Sequence, residues 1–348
     1  VEQRVLHFMR LQKQLKETKM KYTQNALNIL VLKSYTGIGN TWIVKNIVGN
    51  EPIDVLVDLL NKKIQEPTSI QEFNNLRSNF ELKLKERLSE TCDGIVALGD
   101  AEFPEFRGEV KESERPVFLF YKGDLSLLQK QNKNVTVIGL LNPTAEIEAR
   151  ERELVSELVS HGITIVSGLA NGCDAIAHHQ AILSKGKTVA ILPSPLFSIL
   201  PARNKYLAKE IVDTGGLLIT EYGTDFKNPF ELSARYKERD RLQALFCDTI
   251  ILGASYAKNS SEIWKIVGQK LDSGARLAMG YAKSYQIPRA VMYDENMDKQ
   301  NPMFDLNREI ISEKTGAVVI NSNELKKIIT DLVHKIDSND LGRQSTLF

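Results

Sequence analysis

Between residues 134 and 332 the chain alternates short, wholly apolar runs with longer amphipathic stretches. The runs are Val135–Ile138, Ile163–Val166, Thr188–Leu192, Leu217–Thr220, Thr249–Leu252, Ala290–Tyr293 and Ala317–Ile320. Runs of this length suit strands. A strand apolar along its length has both faces covered, and helical segments between such strands are the crossovers of a parallel sheet. The pattern predicts an α/β, Rossmann-like domain over 134–332, with helices on both faces of a parallel sheet. Residues 1–90 read differently. Their leucines and isoleucines recur at three- and four-residue steps among charges, which predicts a small helical domain. Residues 91–133 carry turn signals around the apolar run Val117–Tyr121 and read as a connector. Residues 333–348, largely polar from Asp337 to Thr346, predict a disordered tail.

Composition narrows the function classes. At 348 residues, two domains are expected. Forty-five basic residues against 44 acidic ones leave a net charge of +1, so the molecule is no polycation and nucleic acid must be held by a local patch. Cys92, Cys173 and Cys247 form no C-x-x-C pair, which argues against a zinc ribbon or a disulfide framework. No apolar stretch has the length of a membrane span, and Val1–Lys21 is amphipathic rather than signal-like. These features predict a cytoplasmic protein with reduced thiols and without metal, cofactor or membrane.

The densest chemistry lies at Ser167-Gly168-Leu169-Ala170-Asn171-Gly172-Cys173-Asp174, a small-residue turn between a predicted strand and a predicted helix. Such a turn lets a phosphate approach bare backbone, and the helix N-terminus adds N–H groups and a favourable dipole. Asp174 and His178, four apart, share a helix face. They read as a helix cap and a structural hydrogen bond, as part of a phosphate site, or as catalytic or metal-binding groups. Arg235-Tyr236-Lys237-Glu238-Arg239-Asp240-Arg241 is the densest basic stretch. Its arginines and Lys237 read as phosphate ligands beside a stacking tyrosine, or as a solvated helix face held by i,i+4 pairs. Tyr35-Thr36-Gly37-Ile38-Gly39 resembles the hairpin of helix-hairpin-helix modules, or is a plain interhelix turn.

The block Ser167, Gly168, Ala170, Gly172, Asp174, Ala177 and His178 resembles the signature of the DNA-processing protein A (DprA/Smf) family, SG-x-A-x-G-x-D-x-x-A-H. Further segments match it. Ile138-Gly139-Leu140-Leu141 stands at the family's G-S-R turn, with leucines for serine and arginine. Asn171 stands where lysine or arginine is common. Pro201-Ala202-Arg203-Asn204-Lys205-Tyr206-Leu207 resembles Y-P-x-x-N-x-x-L, Arg239-Asp240-Arg241 the R-N-R motif, and Ser273-Gly274 the S-G turn. About fifteen extra residues precede that turn, around Tyr256–Lys270. The resemblance spans roughly residues 27–330 and leaves no room for the family's winged helix.

What the resemblance implies is a non-enzymatic homodimer that binds single-stranded DNA, protects it and presents it to a RecA-type recombinase. The phosphate-contacting candidates that follow are Gly139, Ser167, Gly168, Asn171, Gly172, Arg203, Asn204, Lys205, Arg235, Lys237, Arg239, Arg241, Ser273 and Gly274. Loss of basic character at Leu141 and Asn171 favours the alternative of a nucleotide-sensing module, possible in phage defence. A nucleotide-processing enzyme ranks last, because the P-G-G-x-G-T motif of the related phosphoribohydrolases is absent. Finally, Gln344-Ser345-Thr346-Leu347-Phe348 resembles the peptide with which bacterial repair proteins engage the sliding clamp. There Leu347 and Phe348 would anchor and Gln344 would orient.

Overall fold

The computed structural model describes residues 20–268, Leu271 and residues 274–344. It divides into two compact units. The first holds the described residues up to Phe103 together with Pro116–Lys122; the second holds Pro104–Arg115 and the chain from Gly123 onward.

In the first unit, helices α1 (Gln24–Ser34), α2 (Asn40–Asn46), α3 (Ile53–Asn61) and α4 (Ile70–Arg87) precede strands β1 (Gly94–Ala97) and β2 (Phe118–Gly123). Local signals set the helix starts. The Thr23 hydroxyl accepts from the Ala26 N–H, and Ser69 and Glu72 form a reciprocal capping box, each satisfying an N–H that the first turn leaves unpaired. In the turn between α1 and α2, Ile38 is buried. The segment expected to be a connector, 91–133, is more structured than that. β1 and β2 pair antiparallel, Gly94 opposite Tyr121 and Ala97 opposite Phe118. Strands this short, set among turn residues, leave no periodic signature.

The second unit is the α/β domain. Its chain order is β3 (Asn134–Ile138), α5 (Ala145–Ser160), β4 (Thr164–Ser167), α6 (Cys173–Leu183), β5 (Thr188–Ile191), α7 (Lys205–Asp213), β6 (Leu217–Thr220) and α8 (Pro229–Leu245). It continues through β7 (Thr249–Leu252), α9 (Ser260–Ile263), α10 (Gly274–Ser284), β8 (Arg289–Met292), α11 (Glu295–Asp298), α12 (Asp305–Ser312), β9 (Val318–Ile320) and α13 (Leu325–Gln344). The seven strands run parallel in the order β6-β5-β4-β3-β7-β8-β9. Each predicted apolar run is one of these strands, within a residue at either end.

Alternation along β3 shows both faces covered. Val135 and Val137 join Leu154 and Leu158 of α5, Ala177 and Ala181 of α6, and Ile329 and Leu332 of α13 in one apolar cluster. Thr136, pointing the other way, donates its hydroxyl to the Gln243 carbonyl of α8 at 2.7 Å. The strand order reverses between β3 and β7, which opens a crevice beyond their carboxyl ends.

One feature corrects the sequence reading. The tail expected from residue 333 is helical as far as Gln344, because Leu332, Val333 and Ile336 recur at helical spacing and pack into the core. Ser345–Phe348, most of the proposed clamp peptide, lie outside the described residues, as does Ser273. The extra residues before α10 are tied down by Asp305, whose carboxylate accepts from the Ser260 hydroxyl and, at 2.7 Å, from the Trp264 indole N–H. Among the described residues, no helix is long and apolar enough to cross a membrane.

Candidate nucleic-acid interface

A cleft of about 330 Å³ opens at the switch point. The ends of β3 and the β4–α6 turn supply Gly139, Leu141, Asn171 and Asp174; Tyr236, Lys237, Arg239 and Asp240 come from α8, and Gly274 opens α10. Of the sequence-derived candidates, Gly139, Asn171, Lys237, Arg239 and Gly274 line this cleft, and the roles of the set divide sharply by burial.

The turn is held by its own protein. Ser167 donates to the Val137 carbonyl at 2.7 Å and ties the end of β4 to β3. Asp174 Oδ2 accepts from the backbone N–H groups of Gly168 and Ala170, each at 3.2 Å. A carboxylate thus occupies the place where these N–H groups would meet a phosphate. The two glycines serve close approach. A Cβ on Gly168 would lie 1.1 Å from Arg239 Nη1. One on Gly172, whose φ is +70°, would lie 2.2 Å from the Leu140 carbonyl oxygen. Asn204 braces the same turn, its amide donating to the Leu169 and Ala170 carbonyls at 2.8 and 3.1 Å.

The basic stretch on α8 turns inward. Arg235, Arg239 and Arg241 are all buried, in contrast to the solvated face that their density suggested. Arg235 pairs with Glu231 at 2.6 Å, donates to the Thr224 and Asp225 carbonyls, and lies over the Tyr222 ring. Arg241 grips Glu221 with two 2.7 Å bonds and donates to the Glu114 and Glu238 carbonyls. Arg239 sits at the cleft floor, 3.5 Å from Asp174 and 3.3 Å from Asp240. The Gln243 amide, in the orientation that satisfies both its ends, accepts from Gly168 N and Arg239 Nη1 and donates to Asp240. Buried charges must be paired, and these guanidiniums are spent on that pairing.

His178 is fully buried on α6. Thr188 uses its hydroxyl hydrogen on the Ile165 carbonyl, so His178 Nδ1 donates to Thr188 Oγ1 at 2.6 Å. Burial, and then the nearby Arg239 charge, lower its pKa to about 3, which keeps the ring neutral. Below the floor lies a group that the motif search missed. Glu151 of α5 is wholly buried beside the Cys173 thiol, and burial pushes its carboxyl up to about 8. The same burial raises the Cys173 thiol well above its usual value. Only an acidic residue on the apolar face of α5 could have signalled this in the sequence.

The rim is different. Arg203 and Lys205 follow the cleft-lining Pro201 and are exposed, as is Lys237. Tyr206 and Phe230, each 87% exposed at the starts of α7 and α8, add unburied aromatic surface after the adjacent strands β5 and β6. Among the described residues no group of three or more His, Cys, Asp or Glu side chains is arranged to hold a metal.

A parallel sheet with this strand order and a glycine-bearing turn at its reversal defines a Rossmann-like α/β protein. Comparison with known proteins narrows the class. The family model described as DNA recombination-mediator protein A matches residues 94–324, and the chain belongs to that family. It is 29% identical over 222 residues to Protein Smf of Borreliella burgdorferi, covering 61% of this chain and 67% of that one. It is 33% identical over 150 residues to DNA processing protein DprA of Streptococcus pneumoniae, covering 43% of this chain and 51% of that one. The match to the pneumococcal relative thus spans about half of its length. Among solved structures, the S. pneumoniae DprA superposes with a TM-score of 0.65 at 21% identity, covering 90% of this chain and 98% of that one. DNA processing protein A from Helicobacter pylori, whose structure describes a single-stranded DNA binding mode, gives a TM-score of 0.54 at 25% identity, with 69% and 96% covered.

Proposed function

We propose that this protein binds single-stranded DNA without catalysing its cleavage or synthesis, protects the strand, and as a homodimer presents it to a RecA-type recombinase in the cytoplasm. The observation that carries this reading is the cleft at the sheet's switch point, with the exposed Lys237 in its lining and the exposed Arg203 and Lys205 just after its lining residue Pro201. Exposed cations can neutralise successive phosphates, and Tyr206 and Phe230 offer faces on which bases stack. The single-stranded DNA binding of the H. pylori relative supports the same ligand. In this reading Arg235, Arg239 and Arg241 shape the cleft, and the turn glycines permit its packing. The peptide Gln344–Phe348 adds a contact to the sliding clamp.

The test is fluorescence anisotropy with labelled single-stranded DNA at two salt concentrations. Micromolar or tighter affinity that falls steeply with salt is the expected result. No binding at low salt would overturn it. The cleft's small volume favours the second reading, a nucleotide sensor, and competition by mononucleotides separates the two.

A further inference from the structure

Asn204 stands between two exposed cations, Arg203 and Lys205, and two positions before the exposed Tyr206. Its place in the chain suggests a phosphate ligand, but its bonds in the fold exclude that role. A side-chain amide nitrogen carries two hydrogens. Both go to the glycine turn, one to the Leu169 carbonyl at 2.8 Å and one to the Ala170 carbonyl at 3.1 Å. The amide oxygen that remains is an acceptor, and a phosphodiester has no hydrogen to give it.

These bonds replace a local one. Asn204 is the residue that leads into α7, a place where asparagine is among the best helix caps. Its side chain makes no capping bond there. The amide reaches instead to carbonyls 35 and 34 positions earlier in the chain. The turn it meets needs holding. Leu169 is fully buried with φ at +57°, a left-handed backbone that a branched side chain adopts only under constraint. On the other side, Ala202–Asn204 form a single tight 3-10 turn, with the Asn204 N–H bonded to the Pro201 carbonyl at 3.0 Å.

We infer that Asn204 is a positioning residue of the single-stranded DNA interface. Its amide pins the start of α7 to the glycine turn and so sets Arg203, Lys205 and Tyr206 in register with Lys237 at the cleft. The inference rests on the single-stranded DNA reading above and adds how the binding groups are held. Long side chains on an unanchored segment must be ordered when the strand binds, which weakens binding. A segment anchored during folding has met that cost beforehand.

The experiment uses fluorescence anisotropy with labelled oligothymidylate on four forms of the full chain. These are the parent, Asn204→Ser, Arg203→Ala with Lys205→Ala, and the triple variant. Serine caps a helix as well as asparagine does, but its hydroxyl has one hydrogen where the amide has two. Asn204→Ser should therefore keep a melting temperature near the parent's and bind roughly five- to ten-fold more weakly, about the worth of one hydrogen bond. On that background, removing the two cations should cost about three-fold less, or better, than it does in the parent, because cations already out of register have less to lose. Should Asn204→Ser fail to fold, hydrogen exchange on the unaltered chain decides. Oligothymidylate should slow exchange of the Gly168 and Ala170 amides, since a strand that orders the start of α7 also holds the turn.

Unaltered affinity of Asn204→Ser, or amide exchange in the turn that ignores the oligonucleotide, overturns the inference and leaves the single-stranded DNA reading standing. Strictly additive losses in the triple variant also overturn it, and make Asn204 an independent contact. No binding of oligothymidylate by the parent chain overturns the inference and that reading together.

Discussion

The floor and the rim of the cleft carry the same residue types in opposite states. At the floor, Arg239 is buried between Asp174 and Asp240, and the turn's N–H groups are taken by a side chain. At the rim, Arg203, Lys205 and Lys237 are exposed. A cation in a cluster of cations is not thereby a ligand. What separates the two sets is whether carboxylates and carbonyls reach them within the fold. The floor is architecture that fixes the shape of the site, and the rim is what a strand of DNA can meet.

The largest effect expected from this contrast is on stability. Arg239→Ala takes the guanidinium away from two buried carboxylates, and removing one partner of a buried charge cluster costs about 3–5 kcal/mol. Urea unfolding should show the loss. An unchanged midpoint with weakened DNA binding would move Arg239 from the floor to the interface.

Glu151 sharpens the comparison from below. Its folded carboxyl is raised to about 8 from an ordinary value near 4.5. Its contribution to stability is thus complete below pH 4.5 and is lost as the pH rises through 8. Glu151→Gln should match the parent protein near pH 4.5 and exceed it at pH 9, by up to about 4–5 kcal/mol at roughly 1.4 kcal/mol per pH unit of the shift. Parallel stability curves for the two proteins would show that Glu151 reaches solvent.

Rim changes should act on binding alone. Replacing Arg203, Lys205 and Lys237 together by alanine should leave stability within about 0.5 kcal/mol per site. The salt dependence of single-strand binding should flatten by about 2 in log–log slope, at roughly 0.7 per lost phosphate contact. An unaltered slope would place the DNA path elsewhere. The smallest effect belongs to Leu141→Arg, which puts a cation on a side chain already 40% exposed at the cleft edge. One added phosphate contact, worth about 1 kcal/mol, should tighten single-strand binding several-fold, which anisotropy can read.

The parallel sheet was legible because doubly covered strands must be apolar throughout, and Val135–Ile138 or Thr249–Leu252 have few other readings. β1 and β2 were not, since four- and six-residue strands among turns have no period to detect. The convergence of the turn with α8 was legible through family spacing. The fate of Arg239 and Arg241 was not, because each has a partner far off in sequence. Arg239 meets Asp174 across 65 positions, and Arg241 meets Glu114 across 127. Asn204 likewise reads as a polar loop residue until Leu169 and Ala170 are seen to present their carbonyls to it. The helix of α13 beyond residue 333 was hidden by polar composition, although three apolar residues sufficed to dock it.

The guanidinium that fills the space above Gly168 makes positions 168 and 239 a single heritable unit. A Cβ at 168 meets the guanidinium while arginine stands at 239, and a smaller residue at 239 opens space that a side chain at 168 would enter. Drift at either site should therefore be halted by the other. Any lineage that escapes should carry both changes, with the penalty of the pair smaller than the sum of the two alone.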